Sequence, residues 1–259
     1  MPAKCALITG STAGLGYAIA EKLAASGCNI VLNGIALPDE GRAAAETLAR
    51  QHGTDVIYQR ADLSALAEIE RLIASAAERF GAIDIVVNNA VVRHFAPIET
   101  LKPAEWEQSL AVNLTAPFHI VRLVLPAMRA RGFGRIFNLS SYYGVRGAEA
   151  RVGYVTTKTA LIGLTRAIAL ETDGTGITCN AICPGTLPTP DILERIEQQA
   201  AAQNVSVDAA TKSYLAGRRP TGRFVSTESV AGLIAFLSGP AGRDISGAVL
   251  PVDGGWTAS

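Results

Sequence analysis

Tyr154 and Lys158 stand four residues apart in a helix-period segment, so they share one helical face and their polar ends can reach one ligand. A phenol is too weak a base at neutral pH, with an ordinary pKa near 10, unless a cation beside it stabilises the phenolate. A Tyr-x3-Lys pair therefore suits general acid/base work on an alcohol or a carbonyl. Ser141 precedes Tyr154 by thirteen residues and closes an apolar run, where a hydroxyl can polarise a reacting oxygen.

A second constellation lies near the start of the chain. Thr9-Gly10-Ser11-Thr12-Ala13-Gly14-Leu15-Gly16 follows a strand-like run and leads directly into a helix pattern. Gly10 permits a tight turn, Gly14 lets backbone approach a pyrophosphate, and Gly16 lets the helix pack closely. The helix N-terminus then offers amide hydrogens to phosphates. Ser11, Thr12 and Leu15 belong to the same turn, and the whole predicts a dinucleotide site. The end of the second strand, Val31-Leu32-Asn33-Gly34-Ile35, has neither the acid of a usual NAD site nor the cation of a usual NADP site. A buried 2′-phosphate without counter-charge is costly, so NAD is favoured over NADP. Asp62 and Leu63 follow the third strand and are candidates for the adenine end. Asp62 also reads as a helix N-cap before Ser64.

The elements that must carry these residues alternate along the chain. Strands are predicted at 5–9, 30–32, 55–59, 83–87, 135–139, 177–182 and 248–252, with helices at 14–26, 39–52, 64–80, 103–131, 152–173 and 227–238. Apolar strands alternating with helices predict one doubly wound α/β domain of the Rossmann type over residues 1–259, with a seven-stranded parallel sheet covered on both faces. Gly27, Gly53, Gly81, Gly132 and Gly174 punctuate the helix ends. The segment 185–226 breaks the rhythm with Pro188, Pro190 and Gly217-Arg218-Arg219-Pro220. It reads as a helical lid over the ligand crevice, or as a surface helical hairpin.

Composition narrows the function classes. The chain has 259 residues, 49% hydrophobic and 18% charged, with 23 basic against 23 acidic side chains, which argues against nucleic-acid binding. The longest helical apolar stretch reads as 159–170, which carries Arg166 and is too short to cross a bilayer. The first residues, Met1-Pro2-Ala3-Lys4, enter a strand without a signal sequence, and a cytoplasmic protein is expected. Cys5, Cys28, Cys179 and Cys183 lie in apolar runs and read as buried thiols, and His52, His94 and His119 lack metal-ligand spacing.

Together the glycine turn, Asn88-Asn89-Ala90, Asn113, Ser141, Tyr154-x3-Lys158, Pro184-Gly185 and Val252-Asp253-Gly254-Gly255 resemble the short-chain dehydrogenase/reductase family over essentially the whole chain. Val91 departs from it, since Gly is usual after Asn-Asn-Ala. The resemblance implies that Tyr154 is the acid/base while hydride moves to or from a nicotinamide. It implies that Lys158 stabilises the phenolate and binds the ribose, Ser141 orients the reacting oxygen, and Asn113 holds a proton-relaying water. Asn89, Ala90, Pro184 and Gly185 would touch the cofactor. Asn113 could instead merely satisfy backbone groups in its helix.

Within the family the chain is most similar to the bacterial D-3-hydroxybutyrate dehydrogenases, through stretches such as Asn180-Ala181-Ile182-Cys183-Pro184-Gly185. Where those enzymes hold a substrate carboxylate with Gln, His, Lys and Gln, this chain carries Arg93, Tyr143, Arg151 and Arg195. With Ser141 and Tyr154 these imply an anionic small-molecule substrate, a 3-hydroxy acid, a larger hydroxy acid or a dicarboxylate. Rim arginines reaching to solvent are the bland alternative. Rival readings are a dehydrogenase or reductase of neutral polyols, sugars or cyclic alcohols, and a non-catalytic dinucleotide-binding protein. The resemblance also implies a homotetramer, packed through 103–131 and 152–173 and through the C-terminal strand.

Overall fold

The computed structural model describes residues 3–216 and 221–258, so Gly217-Arg218-Arg219-Pro220 and Met1-Pro2 lie outside the described residues. The chain runs β1 (Cys5–Ile8), α1 (Gly14–Ala25), β2 (Asn29–Gly34), α2 (Pro38–His52), β3 (Val56–Arg60), α3 (Leu66–Phe80) and β4 (Ile85–Asn88). It continues through α4 (Pro103–Leu110), a π-helical turn (Ala111–Thr115), α5 (Ala116–Arg131), β5 (Gly134–Leu139), α6 (Val152–Glu171) and β6 (Ile177–Pro184). The last elements are α7 (Pro190–Gln203), α8 (Val207–Leu215), α9 (Thr227–Ser238) and β7 (Val249–Val252).

All seven strands pair in parallel in the order β3-β2-β1-β4-β5-β6-β7. Alternate residues of β1 feed two cores. Ala6 and Ile8 pack with Ile19 and Leu23 of α1, Leu48 of α2 and Ile234 of α9, while Cys5 and Leu7 pack with Leu72 of α3, Ile120 and Met128 of α5 and Ile168 of α6. The order reverses between β1 and β4, so a crevice opens at their carboxyl ends, where such sheets take ligands.

The expected single helix over 103–131 is interrupted by the π-turn. This run of 29 residues is long and apolar enough by composition to cross a membrane, unlike the shorter 159–170 stretch. Its inner face, with Ile120, Val124 and Met128, is buried in the second core, as befits a core helix of a globular domain. The four cysteines are free and buried. Burial raises all four thiols, Cys179 to about 12. Segment 185–226 contains α7 and α8, which pack through Ile196, Ala200 and Ala210 into a small core of their own. That is the helical insertion expected from sequence.

Candidate active site

The glycine turn is fixed by its neighbours before any ligand arrives. Asn89, just past β4, donates through Nδ2 to the carbonyls of Thr9 and Gly10, each at 2.9 Å. Its own N–H and that of Ala90 bond Thr9 Oγ1 at 3.0 Å. A Cβ on Gly16 would stand 2.3 Å from the Gly10 carbonyl oxygen and 2.7 Å from Asn89 Nδ2. Gly14 differs, with φ +59 and open space where a Cβ would project. α1 begins with no side-chain cap and no acid in its first turn, so its amide hydrogens keep their positive potential. An uncapped helix end behind bare backbone fits a dinucleotide phosphate.

Ser11 takes a different part from the one expected of it. It is fully buried, donates to Ile8 O at 2.7 Å and accepts from Asn33 N at 3.1 Å, which ties the turn to β2. Ser11, Thr12 and Gly14 do not line the crevice, whereas Gly10, Leu15, Gly16, Asn33, Asp62, Leu63, Asn89, Ala90, Pro184 and Gly185 do. Asn33 spends its amide on Gln59 O (3.1 Å) and Ala61 O (3.4 Å). Asp62 accepts from Ser64 N and Oγ at 2.9 and 2.8 Å, and α3 begins only at Leu66, so this is a local turn rather than a helix cap.

The other half of the site forms where β5 meets α6. Lys158 Nζ donates to Leu139 O at 2.5 Å, and Ser140 Oγ donates back to Lys158 O at 2.7 Å. Below them Asn88, Asn138 and Thr165 form a buried polar chain, with bonds of 2.8 and 2.9 Å, that locks β4, β5 and α6 together. Lys158 is only 3% exposed. Burial first, and the nearby Arg93 charge second, lower its pKa to about 7. Its Nζ lies 5.7 Å from the centre of the Tyr154 ring. Tyr154 and Ser141 are also buried, and Ser141 Oγ accepts from Tyr143 N at 3.2 Å.

Asn113 sits in the π-turn, behind the wall rather than in it. Its Oδ1 accepts from Val92 N at 2.9 Å, and its Nδ2 donates to Val92 O at 3.0 Å and Thr157 Oγ1 at 3.4 Å. The backbone it satisfies belongs to the loop after β4 and not to its own helix.

That loop carries Arg93 and Phe95. Ala96 N–H bonds Ala150 O at 3.1 Å, with Ala150 held in a left-handed backbone (φ 53), and this bridge brings the loop beside the start of α6. The Arg93 guanidinium carbon lies 5.5 Å from the Tyr154 ring centre. Arg151 lies 4.4 Å from the Phe95 ring and 5.3 Å from that of Tyr143, and Arg195 reaches the same Phe95 ring from α7 at 5.7 Å. All four residues expected to meet substrate besides Ser141 and Tyr154 therefore border one cleft of about 630 Å³ that also holds the glycine turn. Arg93 and Arg195 are exposed at its rim.

Sequence reasoning missed Phe95, Thr186, Ile192 and Tyr214, which also line the cleft. Phe95 had a weak signal, an aromatic two residues after an arginine. Thr186 follows β6 directly, and Ile192 and Tyr214 join the lining from α7 and α8, whose place beside the cleft has no local sequence signal.

The chain belongs to the short-chain dehydrogenases, whose family model matches residues 4–201. It is 42% identical to a D-beta-hydroxybutyrate dehydrogenase of Cupriavidus necator, over 98% of both chains. It is 39% identical to one of Rhizobium meliloti, over 98% of this chain and 99% of that one. Among solved structures, L-sorbose reductase from Gluconobacter frateurii, complexed with NADPH and L-sorbose, superposes with a TM-score of 0.95 at 29% identity, covering 100% of this chain and 98% of that one. The protein is thus an oxidoreductase acting on CH–OH groups, interconverting a secondary alcohol and a ketone with a nicotinamide dinucleotide.

Proposed function

We propose that the protein is an NAD-dependent dehydrogenase of small 3-hydroxy acids. The observation that carries this reading is the convergence of Arg93 and Arg151 on the same cleft as Ser141 and Tyr154. A guanidinium pairs with a carboxylate in a two-pronged fork, which fixes orientation as well as charge. The two D-beta-hydroxybutyrate dehydrogenases at 42 and 39% identity support a 3-hydroxy acid.

A nicotinamide dinucleotide, when bound, would supply the redox chemistry as acceptor or donor of a hydride. Tyr154 takes the alcohol proton during oxidation and returns it during reduction. Ser141 hydrogen-bonds the reacting oxygen and so fixes the carbinol carbon. Lys158, anchored on Leu139 O, stabilises the Tyr154 phenolate and reaches the ribose. Asn113, whose amide is committed to Val92, would hold a relay water only through its main-chain carbonyl in the π-turn.

NAD rather than NADP is supported by Asn33, Gly34 and Ile35 at the adenosine end, none of them a cation for a 2′-phosphate. Gly10, Gly16, Asn89, Ala90, Pro184 and Gly185 would carry the rest of the cofactor. We further propose a cytoplasmic homotetramer that binds neither membrane nor nucleic acid. The exposed apolar side chains Phe118 on α5 and Leu170 on α6 support the assembly. The test is NADH formation from NAD⁺ and D-3-hydroxybutyrate, repeated with NADP⁺ and with the L-isomer. Turnover confined to neutral alcohols would replace the proposal.

A further inference from the structure

Three guanidinium groups are arrayed in the cleft along an arc of aromatic rings. Arg195 and Arg151 both face Phe95, Arg151 also faces Tyr143, Tyr143 meets Tyr154 edge-on at 6.4 Å, and Arg93 lies over Tyr154. Among the described side chains no carboxylate comes within 4.0 Å of Arg93 or Arg151. Arginines elsewhere in the chain do find acids, as Arg131 does Asp84 at 3.3 Å and Arg122 does Glu70 at 3.8 Å.

Like charges gathered in one cleft are mutually unfavourable, and an incoming anion relieves that repulsion. One monocarboxylate beside Tyr154 can engage Arg93 or Arg151. It does not reach Arg195, which lines the same cleft from α7 at the far end of the arc. Resting on the hydroxy-acid reading above, we propose that the substrate is a dicarboxylate: one carboxylate near the reacting carbon, held by Arg93 and Arg151, and a second at the far end, held by Arg195 with Arg151. Arg195 is then a specificity-determining residue contributed by the helical insertion. Phe95 is the platform that keeps Arg151 and Arg195 in register, since a guanidinium over an aromatic face holds its orientation.

The test compares kcat/KM for 3-hydroxyglutarate, 3-hydroxyadipate and D-3-hydroxybutyrate with NAD⁺ and NADP⁺. At least one dicarboxylate is expected to exceed D-3-hydroxybutyrate by about tenfold or more, the worth of one additional charge-assisted pair. Arg195→Met is expected to bring that ratio down toward one. A readout free of turnover is the melting temperature of the protein with saturating NAD⁺: glutarate is expected to raise it more than butyrate at equal concentration and ionic strength. D-3-hydroxybutyrate used as well as or better than both dicarboxylates would overturn the dicarboxylate proposal and leave the hydroxy-acid reading standing. No turnover of any of the three acids, alongside turnover of a neutral alcohol, would overturn both. A ratio unchanged in Arg195→Met would remove Arg195 from the site.

Discussion

The Lys158 ammonium and the Leu139 carbonyl meet at 2.5 Å where α6 crosses the end of β5. This contact fixes the lysine's position beside Tyr154, yet the surroundings still disfavour its charge. Burial and Arg93 bring it to about 7 in the folded chain against an ordinary value of 10.5. The sign follows directly. Above pH 10.5 the group is neutral in both states and costs nothing, between 10.5 and 7 the unfolded chain binds more protons, and below 7 the penalty is complete. Lys158→Met should therefore gain stability relative to the parent as pH falls from 10 to 6, by on the order of a few kcal/mol. Urea unfolding at several pH values checks the slope, and a gap independent of pH would contradict it.

Tyr154→Phe keeps the ring that packs against Tyr143 and Arg93 and removes only the hydroxyl. Turnover should fall by about 10³-fold or more, while dinucleotide affinity stays within a few-fold of the parent. Steady-state kinetics beside fluorescence titration separates the two effects. A variant retaining most of its kcat would exclude Tyr154 as the acid/base.

Gly16→Ala places a methyl group 2.3 Å from the Gly10 carbonyl oxygen and against Asn89. Both neighbours are held by other bonds, so the turn must shift. A loss of about 1–3 kcal/mol in stability is expected, with weaker dinucleotide binding. Thermal unfolding and a binding isotherm measure both. Wild-type affinity in a destabilised variant would mean that the turn does not hold the phosphates.

Ile35 follows β2, is 72% exposed and lines the cleft beside Asn33 and Gly34, where the proposed cofactor would place its adenosine ribose. Ile35→Arg supplies the missing cation, and kcat/KM for NADP⁺ should rise by roughly tenfold relative to NAD⁺. A parent enzyme that already prefers NADP⁺ would contradict the cofactor assignment.

Much of this was legible in the residues. Parallel strands are buried on both faces and read as apolar runs such as Ile85-Val86-Val87, and glycines mark the turns between elements. The nearness of Tyr154 and Lys158 was visible because they share a helix face. The π-turn at Asn113 was not visible, because Asn113 bonds Val92 across a loop rather than anything within its own helix. The inward turn of Ser11 was not visible either, because its hydroxyl bonds Ile8 and Asn33 across the strand ends. Phe95 acquires its place only from the Ala96–Ala150 bridge, a long-range contact without a local pattern.

The pins that Asn89 and Thr9 place on the glycine turn bear on the kinetics of cofactor capture. Ordering a flexible loop on binding would slow association and make it sensitive to viscosity and temperature. Here the ordering entropy is spent during folding, so the dinucleotide meets a rigid receptor. Its association should run as a single fast phase set by diffusion and charge, leaving any slow step in the cycle to events after cofactor capture.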